Sequence, residues 1–320
     1  MMDGVLVIDK PSGISSYGVV AAVKRRLGAR KAGHGGTLDP MATGVLAVCI
    51  NEATKISQFL ISDTKDYVAT ALLGVETDTY DIEGKILSRS DRVVSEDEVR
   101  EGIGRFTGVQ LQVPPPFSAV KERGQPLYKF ARKGIFIEKP ARSIEVFRIE
   151  VREIDYPYVT FFVSCSKGTY IRSICAELGQ RLGTGGCLAG LRRTRSGAFS
   201  EERALKMDDS GNGAWGEAAS SRLITLSDAL PGLKAMAVGS ALERKLKEGY
   251  QPQVVDIIEN NIPSHAAGDM IKIISSGNGD LLAVGSFLFG TDELGGIEAK
   301  TQAIKIARVF CVEQQKPSHN

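Results

Sequence analysis

Tryptophan occurs once and histidine three times in 320 residues, and the five cysteines, at 49, 165, 175, 187 and 311, include no CxxC pair. An odd number of cysteines without paired spacing gives neither a disulfide framework nor a zinc module, and they read as reduced thiols. No apolar run nears the roughly 20 residues needed to span a bilayer. The N-terminus also lacks the basic start, long apolar core and small-residue cleavage site of a secretory signal, so a cytoplasmic protein with no membrane partner is expected. Charge of one sign is missing as well. Forty basic residues against 38 acidic ones leave a formal net charge of +2, so the whole-chain balance says little about partners. No internal repeat is visible.

What is present is ordinary globular composition, 42% hydrophobic and 24% charged, long enough for a large domain and a small one. Charge is distributed locally rather than globally. Lys24, Arg25, Arg26, Arg30 and Lys31 lie in a stretch with no acidic residue from 10 to 38. Lys121, Arg123, Lys129, Arg132, Lys133, Lys139 and Arg142 outnumber Glu122 and Glu138, and Arg192, Arg193 and Arg195 form a third cluster. Three basic stretches suit a polyanion if they converge, although each alone reads as a solvated surface.

Val5 to Ile8 reads as a buried strand entering the turn Asp9-Lys10-Pro11-Ser12-Gly13. Ser15 or Ser16 then caps a helix whose Val19, Val23 and Leu27 form one apolar face before Gly28 stops it. Strands are expected at 45 to 50, 67 to 73, 144 to 151 and 158 to 165, and a helix from Tyr170 to Leu182. Strands mixed irregularly with helices argue for an α+β fold rather than repeated βαβ units. Small and polar residues at 205 to 222 make a weak boundary, but the domain boundary is placed near 232. Beyond it, Met270 to Ile274 and Leu281 to Val284 flank a Ser-Ser-Gly-Asn-Gly-Asp turn, and Ala303 to Val309 adds a strand, making a small β-rich module.

Gly33 to Gly44, GHGGTLDPMATG, sets one carboxylate, Asp39, in a loop of small residues between a basic helix and an apolar strand. Glycines allow positive φ and close ligand approach, and Pro40 fixes the turn after Asp39. Spacing alone permits either a turn-capping aspartate or a catalytic one. Glu76 to Gly84 holds four acids but fails the EF-hand pattern, so no metal is assigned.

The Asp39 loop closely resembles the catalytic motif of the TruB family of tRNA pseudouridine synthases, whose nucleophilic aspartate precedes proline. Four further blocks agree in chain order from Gly4 to about Gly197: GVLVIDKPSG at 4 to 13, Lys65-Asp66-Tyr67, CSKGTYIR at 165 to 172, and LAGLRRTRSG at 188 to 197. One departure is Gly35, which stands where the family often has threonine and is expected to loosen the loop.

The resemblance implies a pseudouridine-synthase catalytic domain over 1 to 232, with a mixed, mainly antiparallel sheet flanked by helices, and a PUA-like RNA-binding domain over 233 to 320. It implies isomerisation of uridine 55 in the T loop of tRNA, with no cofactor, no metal and no obligate protein partner. Asp39 would be the nucleophile or essential base, and Arg172 would hold it ionised and oriented. Tyr67 would stack on the uracil, Leu191 would close the apolar side of the pocket, Tyr170 would line it, and Lys10 would support it. His34 would engage RNA, and Arg192 and Arg193 would meet phosphates. A non-catalytic tRNA chaperone using the same surface is the alternative, as is a guide-dependent synthase that works with partner proteins.

Overall fold

The computed structural model describes residues 2–60, 64–137, 139–207, 212–260 and 262–310. Its main feature is a ten-stranded mixed sheet. The strands in chain order are β1 (Gly4–Lys10), β2 (Ala32–His34), β3 (Thr43–Ile50), β4 (Lys65–Leu73), the small hairpin β5 (Val75–Thr77) and β6 (Ile86–Arg89), and β7 (Gly108–Gln112). A second small hairpin, β8 (Lys121–Glu122) and β9 (Gln125–Pro126), precedes β10 (Arg142–Asp155), β11 (Tyr158–Cys165), β12 (Gly186–Ser196), β13 (Phe199–Ser200) and β14 (Leu205–Lys206). The sheet runs β14-β1-β3-β12-β4-β11-β10-β7, with β2 beside β3 and β13 beside β12. Only β1/β14 and β3/β12 pair in parallel, so the sheet is mainly antiparallel.

Alternation decides which side chains face the core. In β4, Lys65, Tyr67, Ala69, Ala71 and Leu73 point inward while their neighbours are half-buried. Against that face pack the helices Glu96–Gly104 and Ile171–Leu182. The second helix comes close because Gly179 has no side chain: a Cβ there would meet the Gly185 carbonyl carbon at 2.1 Å. Gly183, in the left-handed region at φ 67°, ends that helix. The helix Ser16–Arg26 is capped by Ser15, whose hydroxyl accepts from the Gly18 N–H, and it buries Val19, Val20 and Val23.

Two expectations change. The 205 to 222 stretch, read as a weak boundary of small and polar residues, holds a helix: Asn212–Ser221 buries Trp215 and Ala219, and the Arg26 guanidinium lies 5.1 Å from the Trp215 ring centre. Residues 208–211 of that stretch lie outside the described residues. The run 188 to 197, given no element from sequence, is the central strand β12. Its arginines obscure the period, because inward Arg193 is buried by polar partners rather than by apolar ones.

A second, four-stranded sheet begins at Lys234, with β15 (Lys234–Val238), β16 (Met270–Ser275), β17 (Leu281–Phe287) and β18 (Ile304–Val309). The expected hairpin is β16/β17, paired antiparallel. Leu281, Val284 and Phe310 pack against Val5, Val45 and Ala47 of the large sheet, so the two sheets share an apolar contact. Cys49, Cys165, Cys175 and Cys187 are buried and unpaired, and burial pushes their thiols up. Cys311 lies outside the described residues.

Candidate active site

The Asp39 loop leaves β2 and enters β3, and four separate groups hold it. The Ser16 hydroxyl accepts from the Leu38 N–H at 2.8 Å and donates to the Leu38 carbonyl at 2.9 Å. Lys10, wholly buried, donates through Nζ to the carbonyls of Pro11, Ile14 and Pro40 at 2.9, 2.7 and 2.9 Å. The Gly13 N–H also reaches the Pro40 carbonyl, and Arg193 reaches the Gly36 and Thr37 carbonyls. Burial lowers Lys10 to about 8, opposed by Asp39 and Glu83. The DKPSG turn is thus the floor of the Asp39 loop.

Asp39 is held at its carboxylate by Arg172, near the start of the helix Ile171–Leu182. Arg172 Nε lies 2.9 Å from Asp39 Oδ2, an ion pair in which the N–H is not aligned as a hydrogen bond, and Nη2 lies 3.5 Å from Oδ1. The same guanidinium pairs with Asp81 Oδ2 at 3.3 Å and donates to the carbonyls of Thr79 and Phe117. Arg172 is 5% exposed, which keeps these contacts away from bulk water. The expected pair therefore forms, but its electrostatic result differs. Burial raises the Asp39 pKa, Arg172 and Lys10 pull it down, Asp81 pushes it up, and the net direction is upward.

A cavity of about 370 Å³ opens beside Asp39, lined by Tyr67, Leu191, Tyr170, Lys65 and the Ser118–Val120 segment among others. Tyr67 comes from β4 and Leu191 from β12, paired with Ala69. Burial raises both tyrosine hydroxyls. Gln112, at the end of edge strand β7, clamps Tyr170 through its backbone, accepting from the N–H at 2.7 Å and donating to the carbonyl at 3.1 Å.

Other expected residues fall elsewhere. His34 is half-buried on β2 and does not line this cavity; burial and Arg193 lower its pKa. Arg192 is on the surface, but it pairs with Asp9 at 3.0 Å and with Glu201 at 2.8 Å. Arg193, expected to meet phosphate, is 1% exposed and bonded within the protein. The strand period sends adjacent arginines to opposite faces, and 193 takes the inner one. Arg195 pairs with Asp66 at 2.6 Å, so the third basic stretch is largely occupied internally. Gly35 leaves no void: a Cβ there would meet the Leu60 Cβ at 3.0 Å, and its N–H bonds the Ala47 carbonyl.

Sequence reasoning missed Asp81, Gln112 and the Phe117–Ser118 turn. Asp81 was visible only as one of four acids in a hydrophilic run. Among the described residues no group of three or more His, Cys, Asp or Glu side chains is arranged to hold a metal, and no helix is long and apolar enough to cross a membrane.

A pocket with a half-buried carboxylate, a buried arginine against it and two tyrosines in its lining is the arrangement of a base-modifying enzyme. Residues 24–171 match the model of the TruB family pseudouridylate synthase N-terminal domain, and 172–229 match the tRNA pseudouridylate synthase B C-terminal domain. The chain belongs to the TruB family. It is 50% identical to a tRNA pseudouridine synthase B of Syntrophus aciditrophicus over 97% of this chain and 99% of that one, and 40% identical to one of Geobacter sulfurreducens over 97% and 100%. Among solved structures, the Cbf5-Nop10-Gar1 complex contains a chain similar at a TM-score of 0.75 and 30% identity, covering 96% of this chain and 85% of that one.

Proposed function

We propose that this chain isomerises the uridine at position 55 in the T loop of tRNA to pseudouridine, using Asp39 without a cofactor. The carrying observation is Asp39 held by buried Arg172 at the mouth of a cavity that also presents Tyr67 and Leu191. The name of the Syntrophus and Geobacter relatives, tRNA pseudouridine synthase B, supports tRNA as the substrate.

The reaction breaks the bond from uracil N1 to the ribose, turns the base and joins C5 to the same carbon, with the C5 proton leaving to solvent. The base must stay captive throughout, held in the cavity beside Asp39. Flipping the nucleotide costs a few kcal/mol, less in a loop than in a duplex, and stacking on Tyr67 returns roughly 1–3 kcal/mol. Asp39 attacks the ribose or removes a proton to give a glycal-like intermediate. Arg172 orients it in either case. His34 engages RNA at the rim, Arg192 lies where it can exchange its carboxylates for phosphate, and the 233 to 320 module contributes RNA affinity.

Purified protein should release tritium from C5-labelled uridine in a tRNA T arm with no added metal or nucleotide. Ordinary turnover by Asp39→Asn would overturn the assignment. The likeness to a chain crystallised with Nop10 and Gar1 favours, as a second reading, dependence on partner proteins. Activity of the isolated chain on free tRNA excludes it.

A further inference from the structure

Arg193 is among the largest fully buried side chains of the protein, at 1% exposure. Its guanidinium reaches three backbone carbonyls: Nε to Val45 at 2.8 Å, Nη2 to Gly36 at 3.2 Å and Nη1 to Thr37 at 3.4 Å. These acceptors lie on β3 and on the loop two and three residues before Asp39. In the sheet, Arg193 stands opposite Tyr67 on one side and Gly44 on the other, so the strand carries it between the stacking platform and the catalytic loop. Arg193 and Tyr67 line the same cavity from paired strand positions, and the guanidinium charge opposes the upward push that burial gives the phenol. Among the described residues it forms no ion pair with a carboxylate. A buried cation placed on carbonyl dipoles is expensive to desolvate, so it calls for a role beyond filling space.

We propose that Arg193 is a positioning residue for the isomerisation, fixing the loop frame ahead of Asp39 and turning the Tyr67 hydroxyl so that its proton faces the uracil. This rests on the assignment of Asp39 and Tyr67 above. A guanidinium only donates, so a phenol oxygen that accepts from it must direct its own O–H elsewhere. On the inner face, the direction left open is the cavity that Tyr67 and Arg193 both line. One planar fork thereby ties together two groups that act on opposite sides of the base. A lysine retains the charge but cannot serve the same carbonyls in one plane.

The test compares Arg193→Lys with the wild type in single-turnover assays on tRNA, together with the salt dependence of tRNA binding. The rate at saturating enzyme should fall by about 10- to 100-fold, the cost of a small misplacement of reacting groups. The binding constant and its salt slope should stay unchanged. A phosphate contact would instead reduce the salt slope by about 1 and leave the saturated rate intact, which would overturn the proposal. A double-mutant cycle adds the coupling: Arg193→Lys should cost less in a Tyr67→Phe background, and additive losses would overturn the link through the hydroxyl.

Should Arg193→Lys give no cooperative unfolding transition, the readout moves to Tyr67→Phe in protein labelled with ¹⁵N-arginine. The Arg193 guanidinium resonances should shift when the hydroxyl is removed; unchanged resonances would refute the contact. Asp39→Asn run alongside separates two failures. If it remains active, the underlying site assignment falls, whereas an inactive Asp39→Asn beside a fully active Arg193→Lys removes only the present inference.

Discussion

Arg172 meets both Asp39 and Asp81, its Nε 2.9 Å from the first and its Nη1 3.3 Å from the second, so one buried cation serves two carboxylates. The pair Arg172–Asp39 sets the geometry of the site. Burial and Asp81 set its electrostatics, leaving Asp39 with a pKa above the ordinary carboxylate value.

The pH dependence follows in sign. If ionised Asp39 is required, activity falls as pH drops through its raised pKa, so the acid limb of kcat/KM lies above the ordinary aspartate value of about 3.9. Asp81→Asn removes a negative neighbour that pushes Asp39 up, so the limb should move to lower pH even as the rate falls. A limb that stays or rises would refute Asp81 as the neighbour responsible.

Arg172→Met leaves Asp39 and Asp81 without their shared cation. Removing one partner of a buried ion pair costs about 3–5 kcal/mol, and the lower end applies here because the Asp39 side chain is 35% exposed. The urea midpoint should drop accordingly, with activity lost. Arg172→Lys should fold better yet remain impaired, because an ammonium cannot reproduce the fork.

Lys10→Met strips donors from three carbonyls, including that of Pro40 beside Asp39. Bonds from a charged donor contribute about 1.5–3 kcal/mol each, so a multi-degree fall in melting temperature is expected. Amide exchange should accelerate at the Asp39 turn, where the Ala42 N–H bonds the Asp39 carbonyl. Unchanged exchange there would show that Lys10 does not hold the loop.

Gly44→Ala is expected to be the most damaging small substitution at the junction of the Asp39 loop with β3. Gly44 sits at φ 97°, and a Cβ would meet the Arg193 carbonyl oxygen at 2.2 Å. Positive φ alone costs about 1–3 kcal/mol, and displacing a backbone carbonyl of the central strand adds to it. Thermal unfolding measures the loss; a melting temperature equal to that of the wild type would show that β12 can move.

The residue blocks made the candidate site legible at a distance, because Asp39 and CSKGTYIR each have a recognisable register. Lys10 was legible only as part of a block. Nothing in a lysine between Asp and Pro signals three carbonyl acceptors, two of them supplied by turns that fold back on it. Asp81 and Gln112 were not legible at all, since each gains its role from a partner 91 or 58 residues away.

The sequence by itself determined the α+β character, the strand or helix at most of the motifs though not at 188 to 197, and the family, because periodicity, caps and short motifs are local properties. Tertiary structure decided the rest. It sent Arg192 outward and Arg193 inward on one strand, and it made burial outweigh Arg172 at Asp39. Desolvation and partnership depend on what the fold brings near a side chain, and sequence order does not carry that distance.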